Sequence, residues 1–196
     1  MKALWICMDI VGTYDGSLEK KISFFERLDE LRKLYDQDLI IFSFVSTDSI
    51  DYVEYFTKEV QTIIKNFPSI LLGPQIGYEH TFLPEENRYL SHSISSKGIH
   101  LLNYGEYLMN TFDIEKILYI DDNPGTNFSL CLYHEKIKNF ENHTQITVIE
   151  PETQMEEEEY PSFITAVNGI YQKELDYVLE GLNILIDKEK AKEKVK

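Results

Sequence analysis

The chain has 196 residues, a formal charge of −15, 43% hydrophobic and 13% aromatic residues. That length holds one domain with a real core, or one domain plus an appendage, and the apolar content specifies a folded globule rather than a disordered chain. The charge argues against a general nucleic-acid binder, which draws its strength from Lys and Arg, and against a membrane-surface protein. Cys7 and Cys131 both lie inside apolar runs, where a buried reduced thiol is the expectation, so the reading is an intracellular, cytoplasmic protein. Ala3 to Val11 carries Asp9 and lacks both the length of a spanning helix and a small-residue cleavage site, so neither signal peptide nor anchor is expected.

In chain order, Ala3 to Met8 is a continuous apolar run ended by Asp9 and the turn formers Gly12 to Ser17, which reads as a buried strand. Ser17 can cap a helix to about Tyr35, with Ile22, Phe25, Leu28, Leu31 and Tyr35 along one face. Leu39 to Val45 is a second strand, delivering Ser46-Thr47-Asp48 at its end. A helix follows from Ser49, with Val53, Phe56, Val60, Ile63 and Phe67 on one stripe until Pro68 stops it, and Ser69 to Gly73 reads as a short strand. Pro74 to Ser96 has no clear period and reads as an irregular lid or loop.

Lys97-Gly98 opens a helix with Ile99, Leu102, Leu108, Met109 and Phe112 inward. It feeds the apolar run Ile117 to Ile120, which ends in Asp121-Asp122-Asn123-Pro124-Gly125. A short helix is expected after Asn127, to about Asn139, and Gln145 to Ile149 is a fifth strand. Beyond Pro151 come the acidic run Glu156 to Glu159 and, after Pro161, a long amphipathic helix with Ile164, Val167, Tyr171, Leu175, Val178, Leu182 and Leu185 on one stripe, packed on the core or on a partner. Lys188 to Lys196 reads as a frayed, solvated end. The division is thus an α/β core over residues 1–150 and a C-terminal segment over 151–196.

Strands alternating with helices, each strand closed by polar residues, predict a five-stranded, mainly parallel sheet with helices on both faces, a Rossmann-like three-layer sandwich. Its carboxyl edge would gather Asp9, Ser46 with Thr47, and Asp121 with Asp122. Adjacent carboxylates repel unless a cation lies between them or one takes a proton, and Mg²⁺ is the simplest neutraliser. A solvated acidic turn is the plain alternative for Asp121-Asp122 taken alone. One carboxylate can attack phosphorus, hydroxyls and amides can hold phosphoryl oxygens, and a lysine can neutralise charge. The five histidines have no ligand spacing, which gives transition-metal chemistry no support.

These residues resemble the haloacid dehalogenase (HAD) superfamily, most of whose members are Mg²⁺-dependent phosphatases. Asp9 followed by Gly12-Thr13 is similar to the first motif, with its nucleophilic aspartate; Ser46 to the second, Lys97 to the third, and Asp121-Asp122 to the acidic fourth. The resemblance implies catalysis by Asp9, Ser46 and Lys97, metal held by Asp9, the Val11 carbonyl, Asp121 and Asp122, and phosphate held by Ser46, Thr47 and Lys97.

Two departures qualify what it implies. Val11 stands where the family's phosphatases carry an acid/base aspartate, and valine moves no proton; Asp15, Asp48 and Glu79 are the candidate substitutes. There is also no room for a cap domain after Asp9, and relatives without one tend to act on macromolecules. The implied substrate is phosphorylated and large, or presented by a partner, with the C-terminal helix as a protein-binding surface. The alternative is a catalytically degenerate binding module on the same fold. A receiver-like or flavodoxin-like sheet fits less well, because a receiver carries its acid pair after the first strand.

Overall fold

Strand β1 (Lys2–Met8) has Leu4, Ile6 and Met8 in one apolar cluster and Ala3, Trp5 and Cys7 in another, so both its faces are buried and no polar alternation survives in its sequence. The computed structural model describes residues 1–92, 97–123, 144–151, 164–169 and 174–195, without the side chains of 98–102 and 168. The helix expected after Asn127, the acidic run Glu156 to Glu159, and Thr126, Asn127, Cys131, His134 and His143 lie outside the described residues.

Helix α1 (Leu18–Leu34) is capped by the Ser17 hydroxyl, which accepts from the Lys20 amide. Its buried face is Lys21, Phe24, Phe25, Leu28 and Leu31. The expected inward Ile22 is instead exposed. Lys21 takes the inner position because its ammonium is 2.7 Å from Glu59 and lies 4.7 Å from the Tyr14 ring centroid, so its buried charge is compensated.

Strand β2 (Leu39–Ser49) leads directly into helix α2 (Ile50–Ile63), capped by Ser49 and extended by a 3₁₀ turn over Ile64–Asn66. Strand β3 (Ile70–Leu72) pairs with the first half of β2. The stretch expected to be an irregular lid or loop then contains three strands, β4 (Gln75–Tyr78), β5 (His80–Leu83) and β6 (Arg88–Ser91). β4 runs parallel to the second half of β2, and β5 and β6 continue the sheet antiparallel. Where β3 gives way to β4, the Gln75 side chain bridges the break. Its Oε1 accepts from the Phe44 amide at 3.0 Å, and its Nε2 donates to the carbonyls of Phe42 and Gly73, each at 2.9 Å. A polar side chain thus satisfies the ladder groups of β2, and no apolar period announces the pairing.

Helix α3 (Lys97–Met109) precedes β7 (Asp113–Ile120), β8 (Gln145–Pro151) and β9 (Ile164–Gly169), and helix α4 (Glu174–Glu193) closes the described chain. Ile164 and Val167 fit a helical stripe, but their segment is a strand paired parallel to β8, and the C-terminal helix begins only at Glu174. The same helix continues through most of the expected frayed end, with Lys190 paired to Glu30 at 2.6 Å. Its inner residues, among them Leu175, Tyr177, Val178 and Leu182, join the cluster that holds Phe24 and Phe25 of α1, so α4 packs on the core.

The result is an α/β fold built on a mixed sheet of nine strands among the described residues, ordered β6-β5-β4-β2-β1-β7-β8-β9 with β3 beside β2, and flanked by helices. The five strands read from the sequence correspond to β1, β2, β3, β7 and β8. β4, β5, β6 and β9 are additional: β4 joins the edge of β2 and β9 that of β8, while β5 and β6 follow β4 antiparallel through short turns. No helix among the described residues is long and apolar enough to cross a membrane.

Candidate active site

The neighbours of β1 in the sheet are β2 on one side and β7 on the other, so the strand order reverses at its carboxyl end, where such sheets open a crevice. Register brings two aspartates together there. Met8 pairs with Ile120, so the next residues, Asp9 and Asp121, leave adjacent parallel strands side by side. The ladder continues one step past each strand: the Asp9 amide donates to the Ile120 carbonyl at 2.9 Å and the Asp121 amide to the Ile149 carbonyl at 3.2 Å. The backbone thereby fixes both carboxylates at one level.

Lys97, the first residue of α3, lies buried between them. Its Nζ is 2.9 Å from Asp9 Oδ1 and 2.8 Å from Asp121 Oδ2. Asp121 also accepts from the Tyr119 hydroxyl at 3.2 Å and from the Asn123 amide at 2.8 Å. Asp122 is half-buried beside them, and ligand oxygens of Asp9, Asp121 and Asp122 all lie within 4.8 Å of one another.

The electrostatics of this cluster are unbalanced. Burial, reinforced by the Asp121 charge, pushes the Asp9 carboxyl up to about 7, although Lys97 and the Ile10 amide oppose the shift. Burial raises Asp121 as well, against Lys97 and Asn123. Burial works against the Lys97 charge, yet Asp121 and Asp9 together hold its ammonium above the ordinary lysine value. Three carboxylates and one ammonium leave two formal negative charges, which is the charge of one divalent cation. The donors are all hard oxygens, as Mg²⁺ requires. Its ligands sit at about 2.0–2.1 Å, so neighbouring ones are about 2.9 Å and opposite ones about 4.2 Å apart, and carboxylate oxygens within 4.8 Å of one another are close enough to converge on one such ion. The residues fit the ion.

Among the described residues, none of the remaining candidates is hydrogen-bonded to this group. Ser46 is buried on β2, two residues beyond the Phe44 that pairs with Met8, which puts it at the same edge. Its hydroxyl is engaged locally, donating to Asp48 Oδ2 at 2.9 Å and accepting from the Asp48 amide at 3.1 Å. Thr47 is exposed. Val11 is 50% exposed, so an apolar side chain stands open to solvent at the rim of a charged site. Of the candidate acids, Asp48 is bound to Ser46, Glu79 is exposed in the turn between β4 and β5 with φ of 57°, and Asp15 is half-buried beyond the Gly12 turn.

Two residues at the site escaped the sequence reading. Tyr119 supports Asp121 from two residues upstream, a spacing that puts both on one face of β7, and the tyrosine inside an apolar run was its only signal. Tyr177, whose hydroxyl is 2.8 Å from Thr13 Oγ1, comes from α4 and had none.

No family model matches this chain. Nor does any curated protein. Among solved structures, the chain is similar to the crystal structure of Thermoplasma acidophilum 0175, with 12% sequence identity and a TM-score of 0.42 over 94% of this chain and 99% of that one.

Proposed function

We propose that the chain is a HAD-like, Mg²⁺-dependent phosphohydrolase or phosphotransferase that works through an aspartyl-phosphate on Asp9. One observation carries this reading: three carboxylates and a buried lysine converge at the switch point of a largely parallel sheet, with a charge deficit that a divalent cation fills. Asp9, Asp121 and Asp122, with the Val11 carbonyl, would hold the ion, which supplies neutralisation between the phosphate and its attacking carboxylate.

Lys97 holds Asp9 Oδ1, so Oδ2 is the attacking atom. The Asp9 oxygen bonds to phosphorus as the bond to the leaving oxygen breaks, and that oxygen departs with the electron pair. Val11 offers it no proton, so the proton comes from water. A water, or an acceptor hydroxyl in a transferase, then attacks phosphorus, breaks its bond to Asp9 and gives its proton to solvent. Ser46, turned from Asp48, and Thr47 would hold the phosphoryl oxygens while Lys97 balances their charge.

The substrate is a large phosphorylated molecule, or one presented by a partner. The rim at Val11 is open, α1 begins only nine residues after Asp9, and β4 to β6 extend the sheet. The partner surface on α4 is its outer face, since the inner one is used by the core. We place the activity in the cytoplasm, in keeping with the buried free thiol of Cys7. The test is hydrolysis of an activated aryl phosphate with Mg²⁺, whose leaving group needs little acid help. Turnover abolished by Asp9→Asn is expected, and turnover that survives this substitution refutes the mechanism. The exposed valine at the rim favours a second reading, a binding module that holds Mg²⁺ and ligand without turnover. Mg²⁺ binding with no hydrolysis would establish it.

A further inference from the structure

Helix α4 reaches into the loop that follows Asp9. Tyr177, in its first turn, is fully buried, and its hydroxyl shares the 2.8 Å hydrogen bond with Thr13. The Leu175 amide donates to the Asp15 carbonyl at 3.1 Å, and Asp176 pairs with Lys20 at 2.7 Å. Two ties, at Thr13 and Asp15, therefore join the start of α4 to the stretch between Asp9 and α1, and a third reaches the first turn of α1. That stretch is a tight turn in which the amides of Thr13 and Tyr14 both donate to the Ile10 carbonyl and Gly12 has a φ of 72°. Gly12 is pressed so closely on Asp122 that a β-carbon there would collide with Asp122 Oδ2. Thr13, held by Tyr177, is the next residue. The hydroxyl of Tyr177 is near enough to the cluster for Asp121, Asp122 and Asp9 all to oppose its ionisation, after burial as the main cause.

We infer that Tyr177 is a positioning residue for the metal-binding carboxylates: through Thr13 it holds the Gly12–Thr13 turn against Asp122 and so sets the spacing of Asp122 from Asp9. This rests on the reading that the three carboxylates hold a divalent cation, and it does not require turnover. Mg²⁺ demands near-ideal octahedral geometry, so a displacement of a few tenths of an ångström in one ligand weakens it. The C-terminal helix is then part of the site's construction as well as of the core.

Tyr177→Phe keeps the ring in the core and deletes only the hydroxyl, leaving Thr13 Oγ1 without this partner. Calorimetric titration with Mg²⁺, beside urea unfolding of the same samples, is expected to show affinity weakened about five- to tenfold in protein that remains folded, the worth of one buried hydrogen bond. Thr13→Val should weaken it equally. The double variant should be no weaker than the worse single one, because the two hydroxyls act as a unit. Tyr35→Phe, at the far end of α1, is the control and should bind as wild type does.

Wild-type affinity in folded Tyr177→Phe overturns the inference. If that variant does not fold, Thr13→Val carries the same test, and loss of fold in both replaces positioning with a purely structural role. Wild-type protein that binds Mg²⁺ but hydrolyses nothing removes the phosphotransfer reading and leaves this one standing. Wild-type protein that binds no Mg²⁺ removes both.

Discussion

Replacing Lys97 with methionine removes the only cation seen between Asp9 and Asp121 among the described residues while nearly preserving side-chain length. In the wild type the ammonium is 2.9 Å from one carboxylate and 2.8 Å from the other, in a site where all three groups are buried. Breaking a buried ion pair from one side costs about 3–5 kcal/mol, because the remaining charge is left uncompensated. At about 2–4 °C per kcal/mol for a domain of this size, Lys97→Met should melt about 6–20 °C below wild type at pH 8 without metal.

The pH dependence follows from the same geometry. Asp9 has a folded value of about 7, above its ordinary 3.8, so it stabilises the fold below its unfolded value and loses that contribution as pH rises through the folded one. The metal-free wild type should therefore weaken between about pH 4 and pH 7. Without Lys97 the carboxylates hold their protons to still higher pH, so the penalty of the substitution is smaller at pH 5 than at pH 8. Millimolar Mg²⁺ should restore part of the loss at pH 8. Thermal melts at the two pH values, each with and without Mg²⁺, measure this. A loss below about 1 kcal/mol at pH 8, the level of an exposed pair, or an equal loss at both pH values would refute the reasoning.

At saturating Mg²⁺, Val11→Asp should raise hydrolysis of alkyl phosphates at least about tenfold, a cautious fraction of a general acid's usual contribution, and change activated aryl phosphates much less. Equal gains on both, read from initial rates, would mean altered metal binding instead. Gln75→Ala strips partners from the buried amide of Phe44 and the carbonyl of Gly73, while the Phe42 carbonyl keeps the Gly73 amide at 2.8 Å. Each abandoned group costs about 1–3 kcal/mol, so urea unfolding should register a loss of at least about 2 kcal/mol, and a loss near zero would show that water replaces the side chain.

The parts of this molecule that could be read in its sequence are those whose cause is local. β1 and the end of β7 announce themselves because strands covered on both faces keep no polar alternation, and the aspartates that close them need only the strand end to be placed. Ser17 and Ser49 mark helix starts because a cap acts within three residues. Neighbouring strands with a known direction then suffice to bring Asp9 and Asp121 to one edge.

Other features depended on partners far away in the chain. Lys21 rather than Ile22 faces inward because Glu59 on another helix compensates its charge. β4 is a strand because the open edge of β2 and the side chain of Gln75 pair with groups that no short window contains, and β5 and β6 then build on β4. Ile164 to Gly169 carries a pattern that a helix and a strand satisfy equally, and the free edge of β8 decided between them. The position of Lys97 between two carboxylates and the hold of Tyr177 on Thr13 are of the same kind. Periodicity specifies which way a segment faces over a few turns. Which edge it joins and which charge it meets depend on surfaces that exist only once the rest of the sheet has formed.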